Sequence, residues 1–190
     1  KKNIAVVRDV GRTHTNNYIS VTGSNAKYNL FIDNIYSVIQ DSESRGRAVG
    51  GISYVPTGGS RLRVNLVGDS RMGCLHINNK KNDTIVIEGT GSLTVADTDF
   101  KTKIGPGPND YYGDKENYGY VSNLQNSAIG NNTLDGCENV YGLYINSGVV
   151  FAGTTKTENC TAIGGGGNGS GQVFITGGKV TAVATTAGTA

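Results

Sequence analysis

The chain has 190 residues, a hydrophobic content of 36% and a formal net charge of +2, enough apolar material for one domain and too little charge to imply a nucleic-acid partner by composition. Glycine is the outlier, at 29 residues against three prolines, about twice its usual share of roughly 7%; without a strict G-X-Y period this excludes collagen and argues against wholesale disorder. No run approaches the ~20 apolar residues of a membrane span, no signal peptide or anchoring motif stands in the text, and the chain reads as one segment, 1–190, excised from a larger protein.

In chain order, Ile4 to Val7 and Tyr18 to Gly23 read as strands, the second alternating at period two. His14 lies between them with no nucleophile or acid pattern beside it and reads as a surface histidine. NLFIDNIYSV (Asn29 to Val38) and RVNLVGDSRM (Arg63 to Met72) are loose copies of a unit of strand, turn and strand. The unit sharpens in IVIEGTGSLTVA (Ile85 to Ala96) and YINSGVVFA (Tyr144 to Ala152), and is clearest in GQVFITGGKVTA (Gly171 to Ala182). A shift of 30 positions lays Tyr144, Ile145, Gly148, Val150 and Ala152 on Phe174, Ile175, Gly178, Val180 and Ala182.

Side-chain alternation then predicts an inward column of Leu30 and Ile32, Val64 and Leu66, Ile85 and Ile87, Leu143 and Ile145, and Val173 and Ile175. Its spacings are 34, 21, 58 and 30, and the third is read as two repeats with an extra coil centred on Ala128 and Ile129. Ser127-Ala-Ile-Gly130, Thr161-Ala-Ile-Gly164, residues 48–55 and residues 75–78 are assigned to a second face. One short helical turn is expected within residues 37–46. Repeated short strands with glycine bends must stack to bury such a column, so the predicted fold is all-β, a single right-handed parallel β-helix.

Residues 97–125 interrupt the repeat as one long insertion loop. Loops of this length inside a regular array are uncommon unless functional or disordered, and this one carries four of the ten tyrosines. The ligand contact is expected on Tyr111, Tyr112, Tyr118 and Tyr120, aromatic anchors flanked by Asp110, Asp114 and Lys115. The competing reading packs the loop as a lid on a neighbouring sheet. If the loop carries no contact, the outward residues Tyr144, Phe174 and Lys179 are the next candidates.

Candidate acids for polysaccharide chemistry or calcium are Asp97 with Asp99, Asp110 with Asp114, and Asp135 with Glu138. None recurs at ladder spacing or fits a calcium loop, so they read as turn formers, and no catalytic residue, metal or cofactor is expected. The run Gly164 to Gly167 lacks the lysine and helix of a phosphate loop. Asn82, Asn131, Asn159 and Asn168 begin glycosylation acceptor triplets of a kind that asparagine-rich turns produce by chance. Cys74, Cys137 and Cys160 form no disulfide framework and read as buried and reduced, although Cys137 and Cys160 are spaced so that they could stack on one face.

VFITGGKVTA (Val173 to Ala182) coupled to TAIGGGGNG (Thr161 to Gly169), with weaker relatives in TIVIEGTGSLTV and SAIGNN, resembles the glycine-rich Ala-Ile-Gly-Gly-Gly repeat surface proteins of gut Firmicutes. The resemblance covers about the C-terminal two-thirds and implies an extracellular or cell-surface β-helix engaged in adhesion or host-factor binding, including binding of immunoglobulin. It carries over no functional residue. The leading expectation is a binding segment that recognises a host protein or a glycan; the alternatives are a structural stalk and a polysaccharide lyase-like enzyme.

Overall fold

The computed structural model describes residues 2–7, 18–37, 51–96, 127–131, 139–154, 161–165 and 169–184. After β1 (Lys2–Val7) the described residues make five passes of three strands each. The first is β2 (Tyr18–Ser24), β3 (Lys27–Asp33) and β4 (Tyr36–Ser37), and the second β5 (Gly51–Gly58), β6 (Arg61–Leu66) and β7 (Asp69–Met72). The third is β8 (Cys74–Ile77), β9 (Thr84–Gly89) and β10 (Ser92–Ala96), and the fourth β11 (Ile129–Gly130), β12 (Val140–Ile145) and β13 (Val149–Thr154). The fifth is β14 (Ile163–Gly164), β15 (Gly171–Ile175) and β16 (Lys179–Ala184).

Each pass gives one strand to each of three sheets. The first sheet runs β14-β11-β8-β5-β2, the second β1-β3-β6-β9-β12-β15 and the third β16-β13-β10-β7-β4. Every pairing among the described residues is parallel. The described residues are all-β, without a helix long and apolar enough to cross a membrane. The two halves of the repeat unit seen in the sequence thus lie in different sheets, and the Ala-Ile-Gly segments, with residues 51–55 and 75–77, make up the face assigned to them.

Inward residues of all three sheets meet in one core, among them Ile52, Leu75 and Ile129 from the first, Val64, Ile87 and Ile145 from the second, and Leu93, Val95 and Val150 from the third. Alternation dictates this: neighbours such as Arg63 and Asn65 point away while Leu62, Val64 and Leu66 are fully buried. Eight of the ten predicted column residues, from Leu30 to Ile145, are at most 1% exposed.

Three expectations are corrected. Val64 stacks on Ile87 and Leu62 on Ile85, two residues out of the predicted pairing. The inter-pass step here is set by the buried Asp83, whose Oδ1 accepts the Ser60 N–H at 2.7 Å, while Thr84 N–H donates to the Ser60 carbonyl at 2.9 Å. A two-residue slip preserves which face is inward, so burial survives it. Nor does an extra coil stand between β9 and β12: Leu143 pairs directly with Ile85, and Ile129 stacks between Leu75 and Ile163 in the first sheet. Finally, Val173 is half-buried and Ile175 57% exposed, because β15 is the outermost strand of its sheet and no described strand stacks upon it. Of the expected helical turn, Ser37 belongs to β4 and residues 38–46 lie outside the described residues.

Two corners explain the glycine signatures. Ser92, Val149 and Lys179 N–H groups donate to the carbonyls of Gly68, Gly91 and Gly148 on the preceding pass, at 3.1, 3.1 and 2.9 Å. Gly178, at φ 82°, stacks so closely on Gly148 that a Cβ would lie 2.5 Å from its carbonyl oxygen. In the Ala-Ile-Gly corner the hydroxyls of Ser127 and Thr161 share a 2.8 Å hydrogen bond, the isoleucine enters the core, and a Cβ on Gly130 would collide with the Gly164 carbonyl.

Candidate binding surface

The residues expected to hold a ligand, Tyr111, Tyr112, Tyr118, Tyr120, Asp110, Asp114 and Lys115, lie outside the described residues with the rest of 97–125. So do His14, the carboxylates Asp97, Asp99, Asp135 and Glu138, and the cysteines Cys137 and Cys160. Among the described residues no three His, Cys, Asp or Glu side chains group together as metal ligands. Among the described residues, the outer face of the second sheet carries Tyr144 and Phe174, two of the three alternates read from the sequence.

Parallel register arranges that face in rows. One row runs Asn29, Arg63, Val86, Tyr144 and Phe174 across β3, β6, β9, β12 and β15. Beside it Phe31, Asn65 and Glu88 form a second row, extended by hydrogen bonds from Asn146 Nδ2 to Glu88 Oε2 at 3.5 Å and from Thr176 Oγ1 to Asn146 Oδ1 at 2.8 Å. The rings of Tyr144 and Phe174 stack with centroids 4.8 Å apart and planes 16° from parallel, an arrangement that adds about 0.5–1.5 kcal/mol beyond area burial. Arg63 Nε meets Glu88 Oε1 at 3.0 Å, crossing from the first row to the second. Both partners are partly exposed, 40% and 24%, so the pair fixes side-chain position more than it stabilises the fold.

The face is therefore mixed. Phe31 and Phe174 are exposed, Val86 is buried between its neighbours although it points outward, and a fixed ion pair sits between the aromatic residues. Of the three alternates named from the sequence, Tyr144 and Phe174 come together here, whereas Lys179 lies on the third sheet in a row with Asp69, Ser92 and Val149. The Arg63–Glu88 pair was missed from sequence. The 23-residue step that brings it together was readable only once Ser60 and Asp83 were known to meet.

Two buried ionisable groups lie elsewhere. Burial pushes the Cys74 thiol up to about 11, opposed by a hydrogen bond with the His76 backbone, so at neutral pH it is a protonated, unreactive packing group. Burial, followed by the nearby charges of Asp83 and Tyr28, pushes the Tyr54 phenol well above its ordinary value, against a smaller opposing effect of the Leu62 backbone. Tyr54 is fully buried in the core and its hydroxyl has no hydrogen-bond partner among the described residues.

Compared with known proteins, the chain matches no protein family, no curated protein and no solved structure.

Proposed function

We propose that this chain is a right-handed parallel β-helical binding segment of a bacterial surface protein, and that it recognises a host protein. The rotation of successive strands through three parallel sheets supports the β-helix, with right-handedness following from the general rule for parallel crossovers. The likeness of Thr161 to Gly169 and Val173 to Ala182 to Ala-Ile-Gly-Gly-Gly repeat surface proteins supports the extracellular setting and makes immunoglobulin a candidate ligand.

The observation that carries the binding role is the outer face of the second sheet: exposed Phe31 and Phe174, the stacked Tyr144, and the Arg63–Glu88 pair held among them. Aromatic side chains beside an oriented arginine are the usual composition of a protein-binding patch. A glycan fits less well. Tyr144 lays one ring face on Phe174, and that face is closed to a stacking sugar. The tyrosines and charged residues of 97–125 extend this reading as a further contact region, and no enzymatic step is assigned.

A structural stalk is the second reading, favoured by the same stacked pair, since rings packed from pass to pass also fasten one pass to the next. Immobilised chain incubated with serum and with mucus separates the two when Arg63→Glu and Phe31→Ala are run alongside. Binding predicts a host protein retained by the native chain and lost with either variant at unchanged melting temperature. Nothing retained, or retention indifferent to both changes, would sink the proposal for this face. A glycan array run in parallel reveals whether the ligand is sugar.

A further inference from the structure

We infer that the corner between the first and second sheets is a docking site for a sulfated polysaccharide, which lies across the first three passes and is held by Lys27, Arg61, Lys80 and Lys81. These cations are far apart in the sequence, the two adjacent lysines excepted, and meet only through the stacking of passes. Lys27 opens β3 and Arg61 opens β6, and the two are register partners, one strand spacing of about 4.8 Å apart. Lys80 and Lys81 stand in the turn that leads into β9, whose first residue, Thr84, is the register partner of Arg61 on the next pass. All four cations are exposed.

Buried polar contacts fix this row from beneath. The Arg61 N–H donates to the Ala26 carbonyl at 2.8 Å, and the Ser60 hydroxyl donates to the Gly23 carbonyl at 3.1 Å. One pass on, the two carboxylate oxygens of Asp83 accept the N–H groups of Ser60 at 2.7 Å and Lys80 at 2.8 Å, and the Asp83 N–H closes the turn on the Lys80 carbonyl at 2.8 Å. Asp83 is wholly buried, so its charge is engaged by backbone donors and leaves the lysine side chains to solvent. The other acids among the described residues stand elsewhere. Asp33 and Asp69 flank the corner between the second and third sheets, where Asn34 and Ser92 donate to them, and Glu88 takes Arg63. Lys27, Arg61, Lys80 and Lys81 make no ion pair among the described residues. A net charge of only +2 thus conceals a segregated surface, and an unneutralised line of cations attracts a polyanion.

The composition of the row selects among polyanions. Lys27, Arg61 and Thr84 bring no apolar anchor of the kind a folded protein partner uses, and no ring on which the bases of a single-stranded nucleic acid would stack. A sulfated polysaccharide needs neither. Its fixed anions follow one another along an extended chain, so that an arginine fork and lysine ammonium groups set side by side across parallel strands meet them in turn. The choice of sulfated sugar over duplex nucleic acid rests on the extracellular setting proposed above.

Binding to immobilised heparin at physiological salt tests this. The native chain is expected to bind, to be released as salt rises, to ignore desulfated heparin, and to bind duplex DNA at least about tenfold more weakly. Arg61→Glu, and Lys80→Gln combined with Lys81→Gln, are each expected to weaken heparin binding about tenfold at unchanged melting temperature. Lys179→Glu changes the net charge by the same amount on the third sheet and is expected to leave binding intact. If Arg61→Glu fails to fold, the lysine pair decides. A native chain that does not bind, corner variants that bind as tightly, an equal loss with Lys179→Glu, equal binding of desulfated heparin, or duplex DNA bound as tightly as heparin would overturn the proposal. Phe31→Ala, which tests the face read as binding a host protein, is expected to keep heparin affinity, so that each reading can fail by itself; heparin affinity lost in Phe31→Ala would move the site off this corner and overturn it too.

Discussion

Tyr54 departs from the rule that buried polar groups are paired: its ring fills the core while its hydroxyl finds no partner among the described residues. Such a group costs about 1–3 kcal/mol in desolvation, so Tyr54→Phe, which keeps the ring, is expected to raise stability by up to about that amount in urea melts. A loss above about 1 kcal/mol would mean that the hydroxyl is paired, for instance through an internal water. Cys74 makes a pH-dependent prediction. Its folded value near 11 lies above the ordinary 9, so the thiol's contribution is fully present below about pH 9 and is lost as pH rises toward 11, where the unfolded chain gains by ionising. Two units correspond to roughly 3 kcal/mol at most. Stability between pH 9 and 11 should therefore fall more steeply for the native chain than for Cys74→Ala, and equal slopes would remove the thiol as the cause. None of this was legible in the sequence, which marked Cys74 as buried but gave no sign that the Tyr54 hydroxyl would be enclosed, since the inward face of a strand is recognised by its apolar members.

At the scale of single strands, period-two alternation carried most of the information, because a side chain's face depends on parity alone. Leu30, Ile32, Val64, Leu66, Ile85, Ile87, Leu143 and Ile145 were assigned inward and are buried. What parity cannot supply is how far one strand slides along the next. That offset is set at the corners by Ser60 and Asp83 and, one pass later, by Asn79, whose side chain accepts the Tyr141 N–H at 3.0 Å and donates to the Tyr141 carbonyl at 2.6 Å. Such polar corner residues look like ordinary loop text before the fold is known. Ile145→Ala should cost about 2–5 kcal/mol, the range for truncating a buried isoleucine, and Val67→Ala, at a 51% exposed position, less than about 0.5 kcal/mol. Equal costs in denaturant melts would mean that the inward face is misassigned.

For the whole molecule, the repeat was visible wherever two passes have the same length, as Tyr144 over Phe174 shows. It was obscured where 58 residues separate Ile85 from its partner Leu143, a gap that the sequence divided into two coils and that the structure crosses in one pass with residues 97–126 inside the connection. The expected site lies within that stretch of sequence, outside the described residues, whereas the candidate surface follows from the register of the second sheet. If each pass touches only its neighbours, stability is a sum over passes and a whole pass can be removed cleanly. Residues 69–91 make such a unit, since Ser92 lies over Asp69 with a separation of 23. Joining Gly68 to Ser92 puts Thr94 in the place of Arg71 against Tyr36, Ile129 in the place of Leu75 against Ile52, and Leu143 in the place of Ile85 against Leu62. Every new neighbour belongs to the same column as the residue it replaces. The shortened chain should keep a strand-dominated circular dichroism spectrum and a single cooperative transition at lower stability, whereas removing residues 69–80 alone breaks the rotation through the sheets and should leave no cooperative fold. If the partial deletion melts like the whole-pass deletion, or if the whole-pass deletion has no transition, the passes do not act as interchangeable units.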